Sequence, residues 1–400
     1  MGSQPQVPLA GDGMVLRGSP LDCTIPYPLL AAGSAIRRGT AKSQTVLMLT
    51  IISHPQDSEA AMPTVIAIEA KPLGVGDINS EFHHLYLVKT VTDSLGRVLS
   101  EKVIRGSVEP DGSLGTLANV DLASSPDRRG SDTPQERHRT ILDLGARKAE
   151  DVWAVMVKHA VNIDAAHLPY SFDVYRQFPG GDLNSNSVVS SVLHSVGINW
   201  ATHYPVGIRP GEVPLYGQLQ HMKVNDVLYG TARRDIIFGG VGNDAIYGGA
   251  ENDRLAGESG NDRLHGGGGN DNMTGGTGDD RLYGGDGRDT LRGNSGRDAF
   301  VFNTRPNGLT NLDTLSDFSV ADDTIWLDNN VFASLGQAGP LRPSMFWAGT
   351  AAHDATDRVV YDSGQGVLYY DPDGTGAASK VAVTKLSTGL KMTYADILIV

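Results

Sequence analysis

Nine aspartates recur nine residues apart: Asp226, Asp235, Asp244, Asp253, Asp262, Asp271, Asp280, Asp289 and Asp298. Two residues after each stands Leu228, Ile237, Ile246, Leu255, Leu264, Met273, Leu282, Leu291 or Phe300, and glycine follows four after the first eight, from Gly230 to Gly293. A glycine-rich linker has no reason to hold aliphatics in register. A nine-residue period instead divides into a glycine-rich turn and a short strand with one inward apolar side chain. Glycine permits the positive-φ turns and the close backbone approach that stacked coils need. Stacking sets equivalent loops above one another, eighteen residues apart, so carboxylates and turn carbonyls converge on a hard cation. Calcium takes roughly six to eight oxygens in flexible geometry, more than one loop supplies but within reach of two.

These residues, 224 to 302, resemble the calcium-binding glycine-rich nonapeptide of the RTX ("repeats in toxin") family. The resemblance implies a parallel β-roll with Ca2+ between successive coils. The implied metal residues are the aspartates together with the glycines two before them, present at Gly242, Gly260, Gly269, Gly278, Gly287 and Gly296. Val224, Arg233 and Glu251 replace that glycine before Asp226, Asp235 and Asp253. One row of loops carries Asp226, Asp244, Asp262, Asp280 and Asp298, and the other carries Asp235, Asp253, Asp271 and Asp289. The site between the loops of Asp235 and Asp253 has both defects and is expected to be weak or empty. The best sites are expected between Asp262 and Asp280, Asp280 and Asp298, and Asp271 and Asp289. One buried aliphatic per nine residues cannot offset the entropy of ordering the coil, and aligned carboxylates repel. The segment is therefore expected to be unfolded without calcium and folded with it.

The rest of the chain frames that repeat. The whole is expected to be multidomain: an α+β N-terminal domain followed by a parallel β-roll with a β-rich C-terminal cap. Residues 1–61 are rich in Gly, Ser, Pro and Ala and are expected to be disordered, with Met62 an alternative start. Within 62–215, "MPTVIAIEAKPL", "HHLYLVKTVT" and "GRVLSEKVIRG" read as strands, the last two around the turn Asp93–Gly96. The polar stretch 124–140 reads as a loop. "AEDVWAVMVKHAVNIDAA" has helical spacing of Val152, Val155, Met156, His159 and Ala160, with Trp153 and His159 assigned to packing. A second helix over "SVVSSVLHSVG" has Ser187 as N-cap candidate and Gly197 at its end. The roll is placed at 216–302 and the cap at 303–400. In the cap, Asp313, Asp317 and Asp323 are possible ligands of end sites, and "YDSGQGVLYYDPDGTG" reads as a hairpin. Asp371, Asp373 and Gly376 mimic the start of an EF-hand loop, but Ala382 stands where its glutamate belongs, so a polar turn is the expectation there.

Charge and cysteine content narrow the class. The formal net charge is −13, and 225–302 carries 13 Asp/Glu against 8 Lys/Arg while 303–400 carries 11 Asp against 6 Lys/Arg. An acidic C-terminal half argues against a nucleic-acid ligand, which needs Lys/Arg stripes, and favours cations. Cys23 stands alone, which excludes an intramolecular disulfide framework. No apolar run reaches the ~18 residues of a transmembrane span, and the N-terminus lacks the pattern of a secretory signal. The final "YADILIV" resembles the C-terminal signal of proteins exported by type I secretion machinery, and equally reads as a last buried strand. The resemblance thus implies a secreted calcium-binding protein, extracellular or at the bacterial cell surface; the N-terminal domain is then expected to bind a surface or partner.

The alternative is a secreted hydrolase with the roll as export and folding module. The chain has no His-Glu-x-x-His and no Gly-x-Ser-x-Gly, so neither a zinc protease nor a lipase elbow is present. The domain is also too short for the β-helix of RTX alginate epimerases. "HHLYLV" before "LNSNSVV" weakly resembles permuted papain-like folds such as the lecithin retinol acyltransferase relatives. That resemblance sets Ser185 in the nucleophile position with His84 or His83 as base. Those relatives use cysteine, which a helix N-terminus acidifies, whereas a hydroxyl depends on its base. The competing reading has Asn184, Ser185 and Ser187 capping the helix and His84 lining a half-buried strand.

Overall fold

The computed structural model describes residues 62–400 apart from 76–77, 112, 126–137, 170–182, 206–207, 209–218 and 220–221. The expected disorder of 1–61 lies outside the described residues, as does most of the 124–140 loop.

The first domain is a six-stranded antiparallel sheet backed by two helices. Its strands are β1 (Thr64–Val75), β2 (Ile78–Thr92), β3 (Val98–Val108), β4 (Ser113–Asp121), β5 (His138–Ile141) and β6 (Leu168–Pro169), in the order β5-β1-β2-β3-β4-β6. β5 begins inside the stretch read as loop, because His138–Ile141 finds the free edge of β1. The period of two along β2 divides its side chains between faces. Leu85 and Leu87 enter the large core with the helices, while Tyr86 and Val88 pack with Val103 and Leu122 on the other face. Asp93 closes the β2–β3 turn, its Oδ1 accepting from the N–H groups of Leu95 and Arg97.

Helix α1 (Ala149–Ala165) buries Val152, Trp153, Val155, Met156, His159, Ala160 and Ile163, the stripe its spacing requires. Helix α2 (Ser185–Ser195) starts two residues before the expected run. Its N-cap is Asn184, whose Oδ1 accepts from the amides of Asn186 and Ser187, and Ser187 Oγ accepts in return from the Asn184 amide. Ser187 is thus the third helical residue of a capping box. Gly197, at φ +69, ends the helix, with amides 197 and 198 donating to the carbonyls of His194 and Leu193.

Beyond residue 224 the chain winds into two parallel sheets facing each other. One contains β8 (Ile236–Val241), β10 (Arg254–Ser259), β12 (Asn272–Thr277) and β14 (Thr290–Ser295); the other contains β7 (Val227–Tyr229), β9 (Ala245–Ala250), β11 (Arg263–Gly268), β13 (Arg281–Asp286) and β15 (Ala299–Phe302). Each strand pairs with the one eighteen residues away, so Leu264 lies between Ile246 and Leu282. All nine apolar residues of the repeat are 0–1% exposed and form one interior column. The column begins against the first domain, since α1 touches β7 and α2 touches β8, and Ile236 fills the space beside Gly197.

The cap extends both sheets beyond the nonapeptides. β16 (Asp313–Leu315) stacks Leu315 on Leu291, and β17 (Thr324–Leu327) stacks Ile325 on Phe300. The strands β18 (Gly339–Pro340), β19 (Phe346–Ala348), β20 (Val359–Asp362), β21 (Val367–Tyr370), β22 (Val381–Lys385) and β23 (Ile397–Ile399) complete it. β20 and β21 form the expected hairpin. The last strand, β23, runs parallel to β17 and buries Ile397 and Ile399. No described helix is long and apolar enough to cross a membrane.

Candidate metal centre

Six of the nine turns of the roll place glycine where coils touch, at Gly242, Gly260, Gly269, Gly278, Gly287 and Gly296. Gly260, Gly278 and Gly296 have φ of +132, +119 and +143, a region closed to most side chains. A Cβ on any of them would also run into the carbonyl oxygen of residue 242, 260 or 278 on the coil before it. These turns therefore bring a row of main-chain carbonyls beside the aspartates.

Two carboxylate ladders run along the two edges of the roll. In each, Oδ1 accepts from the backbone N–H of the aspartate eighteen residues earlier: Asp244 to Asp226 at 2.7 Å, Asp262 to Asp244 at 2.8 Å, Asp280 to Asp262 at 2.8 Å and Asp298 to Asp280 at 3.0 Å. The other edge repeats this for Asp253, Asp271 and Asp289. The second oxygen behaves differently. Oδ2 of Asp244, Asp253, Asp262, Asp271, Asp280, Asp289 and Asp298 is buried with no hydrogen-bond partner among the described residues. Buried polar atoms are nearly always partnered, and an orphaned carboxylate oxygen is expensive. Seven in register mark a row of positions built for something else to meet.

Electrostatics give the same answer. Burial above all, with like charge from Asp226 and Asp262, pushes the Asp244 carboxyl up to about 8. Burial with Asp262 and Asp298 pushes Asp280 up to about 8. Burial with Asp271 and Asp235 pushes Asp253 up to about 7. Asp262 and Asp298 rise to about 6, again chiefly through burial. Without a cation the folded rungs hold their negative charge poorly. An all-oxygen set of carboxylates and carbonyls, with no thiolate or imidazole in the rungs, suits calcium rather than a softer metal.

Comparison with known proteins agrees with that chemistry. The family model for the RTX calcium-binding nonapeptide repeat, in four copies, matches residues 224–255, 247–282 and 265–300. Residues 224–300 are RTX calcium-binding repeats. The chain is also similar to a solution structure, the AlgE6R3 subunit from the Azotobacter vinelandii mannuronan C5-epimerase. The identity is 25%, over 43% of this chain and 76% of that one, and the TM-score of 0.18 is too low to add to the sequence match. No curated protein matches the chain.

Within the RTX repeats the rungs are not equal. Asp235 Oδ2 already accepts from the amide and hydroxyl of Thr231, at 2.6 and 2.9 Å, while Glu251 turns back onto the Arg234 amide. That is the pair of loops whose missing glycines marked it as weak. Asp226 also departs from the pattern: Asn162 Nδ2 donates to its Oδ1 at 2.6 Å, and His159 Nδ1 lies 2.8 Å from its Oδ2. The spacing of His159 had pointed only to packing.

At the other end, Asp313 and Asp323 prolong the ladders by accepting from the amides of Asp289 and Asp298, each at 3.0 Å. Burial and the Asp289 charge raise the Asp313 carboxyl. Asp317 instead receives the amides of Gly293 and Asn294. A further ladder went unread in the sequence. Asn243 accepts from the Asn261 amide, Asn225 from Asn243, and Asn252 from Asn270, at 2.7–2.8 Å. Its signal is the Asn that precedes Asp in five of the nine repeats.

The candidate catalytic residues lie elsewhere. His84 is buried on β2. The side chains of His83 and Ser185 lie outside the described residues. The Leu85 amide donates to Asn186 Oδ1 at 2.8 Å, which holds the start of α2 against the strand of His84. In the cap, Asp371 Oδ1 receives the Gly374 amide and Asp373 Oδ2 the Ala378 amide, the bonding of a polar turn.

Proposed function

We propose that this calcium-binding protein is exported through type I secretion machinery and folds its roll on extracellular calcium. The observation that carries this reading is the register of seven buried, unpartnered Oδ2 atoms. Gly242, Gly260, Gly269, Gly278, Gly287 and Gly296 shape the turns, and Asp244, Asp253, Asp262, Asp271, Asp280, Asp289 and Asp298 supply the charge. At cytosolic calcium the ladder stays open for threading. At the ~0.1–1 mM that extracellular modules bind, it closes. The buried tail of β23 is compatible with a signal read while unfolded and packed afterwards. The N-terminal domain then serves as the module that meets a surface or partner outside.

Limited trypsin digestion tests the switch. Cleavage at Arg254, Arg263 and Arg281 is expected in chelator and suppressed at about 1 mM calcium. Equal cleavage in both conditions would refute it. Export is tested by removing residues 394–400 in a host carrying a type I transporter, where loss from the medium is expected.

The contact of Asn186 with Leu85 favours one further reading, a Ser185/His84 hydrolase. Ester and amide substrates with Ser185→Ala and His84→Ala decide it. Turnover abolished by both changes supports catalysis, whereas unchanged turnover leaves Ser185 to the helix start.

A further inference from the structure

The first rung of the ladder is built differently from those that follow. On the later rungs, Oδ1 of an aspartate accepts from a backbone amide of the preceding coil and Oδ2 is left for a cation. Asp226 belongs to the first coil and has no coil before it. Its two oxygens are nevertheless engaged, by side chains of α1 placed three residues apart on one helical face. Asn162 Nδ2 reaches Oδ1 at 2.6 Å, the atom a preceding backbone N–H would reach. His159 Nδ1 reaches Oδ2 at 2.8 Å, the atom that is orphaned on seven other rungs.

We propose that helix α1 caps the calcium roll, with Asn162 standing in for the missing coil and His159 for the metal, so that Asp226 closes its ladder without an ion. This rests on the calcium-folding reading above. The neighbours fit the role. His159 and Asp226 are 3% and 1% exposed, so the contact is a buried one. The Ser191 hydroxyl lies 2.7 Å from His159 Nε2, and a neutral ring with its proton on Nδ1 satisfies both partners. Ser191, His159 and Asp226 share the connectivity of a hydrolytic triad. The cavity beside them is about 60 Å3, room for a water or two rather than an acyl group, and Ser191 sits inside α2 rather than on an exposed turn. The relay therefore fixes position. Because Asp226 is held in place through the Asp244 carboxylate, which receives its amide, closing the roll presents a finished carboxylate to α1. Calcium binding is in this way linked to the order of the N-terminal helices.

Two measurements on the full chain test the cap. In calcium titration calorimetry, Asp226→Asn is expected to keep the wild-type stoichiometry, whereas Asp280→Asn loses at least one ion. In hydrogen exchange, calcium is expected to slow amides of α1 in the wild type on the order of ten-fold, the scale of one buried charged hydrogen bond. Asn162→Ala, at a half-buried site where the smaller side chain opens no closed cavity, is expected to remove most of that slowing while the roll still responds. Loss of an ion in Asp226→Asn, or α1 exchange indifferent to calcium in the wild type, would overturn the cap. If peptides of the roll themselves ignored calcium, the reading beneath would fail and the cap with it.

Discussion

At the scale of single residues, identical letters of the repeat do different work according to what meets their second oxygen. Asp280 offers Oδ2 to nothing in the protein, while Asp235 spends its own on Thr231. Asp280→Asn is therefore expected to weaken calcium binding much more than Asp235→Asn, by ten-fold or more on the scale of a lost charged ligand pair, roughly 1.5–3 kcal/mol. Calorimetric titration of the two variants checks it, and equal effects would contradict the geometry. Gly278→Ala places a methyl against the Gly260 carbonyl at φ +119. A loss of at least about 1–3 kcal/mol from the calcium-loaded fold is expected, read as a lower melting temperature.

At the scale of elements, the roll is a proton trap when no metal is present. Its carboxyls sit at about 6 to 8 in the folded chain against roughly 3.9 when unfolded. Folded-state values raised in this way contribute stability that is complete below about pH 4 and lost as pH climbs through 6 to 8. Calcium-stripped protein is thus expected to keep its β-signal near pH 5 and lose it near pH 8, with added calcium restoring it at pH 8. A metal-free roll that gains structure as pH rises would contradict the burial of the rungs. Much of this element was legible beforehand, because period, inward aliphatic and turn glycine each impose one local geometry and all three agree. The coils formed by β16 and β17 were legible only through Asp313 and Asp323 as possible end-site ligands, since insertions stretch their spacing to 24 and 25 residues and hide the exact register.

At the scale of the molecule, one continuous apolar core joins α1 and α2 through the roll to the last strand. The junction between α1 and the roll leaves no trace in the sequence. His159 and Asp226 are separated by 67 residues, and neither spacing nor composition shows that a packing histidine faces a repeat carboxylate. The start of α2 was misplaced for a related reason: Asn184 and Ser187 are both good caps, and only the reciprocal bonds between them decide which one leads. Cations between the rungs hold the roll closed, and far-UV circular dichroism of calcium-stripped full-length chain at about pH 8 reads this out. Titrated calcium is expected to bring in the β-signal of 224–302 cooperatively, with magnesium failing to replace it; a full β-signal before any calcium is added would contradict the account.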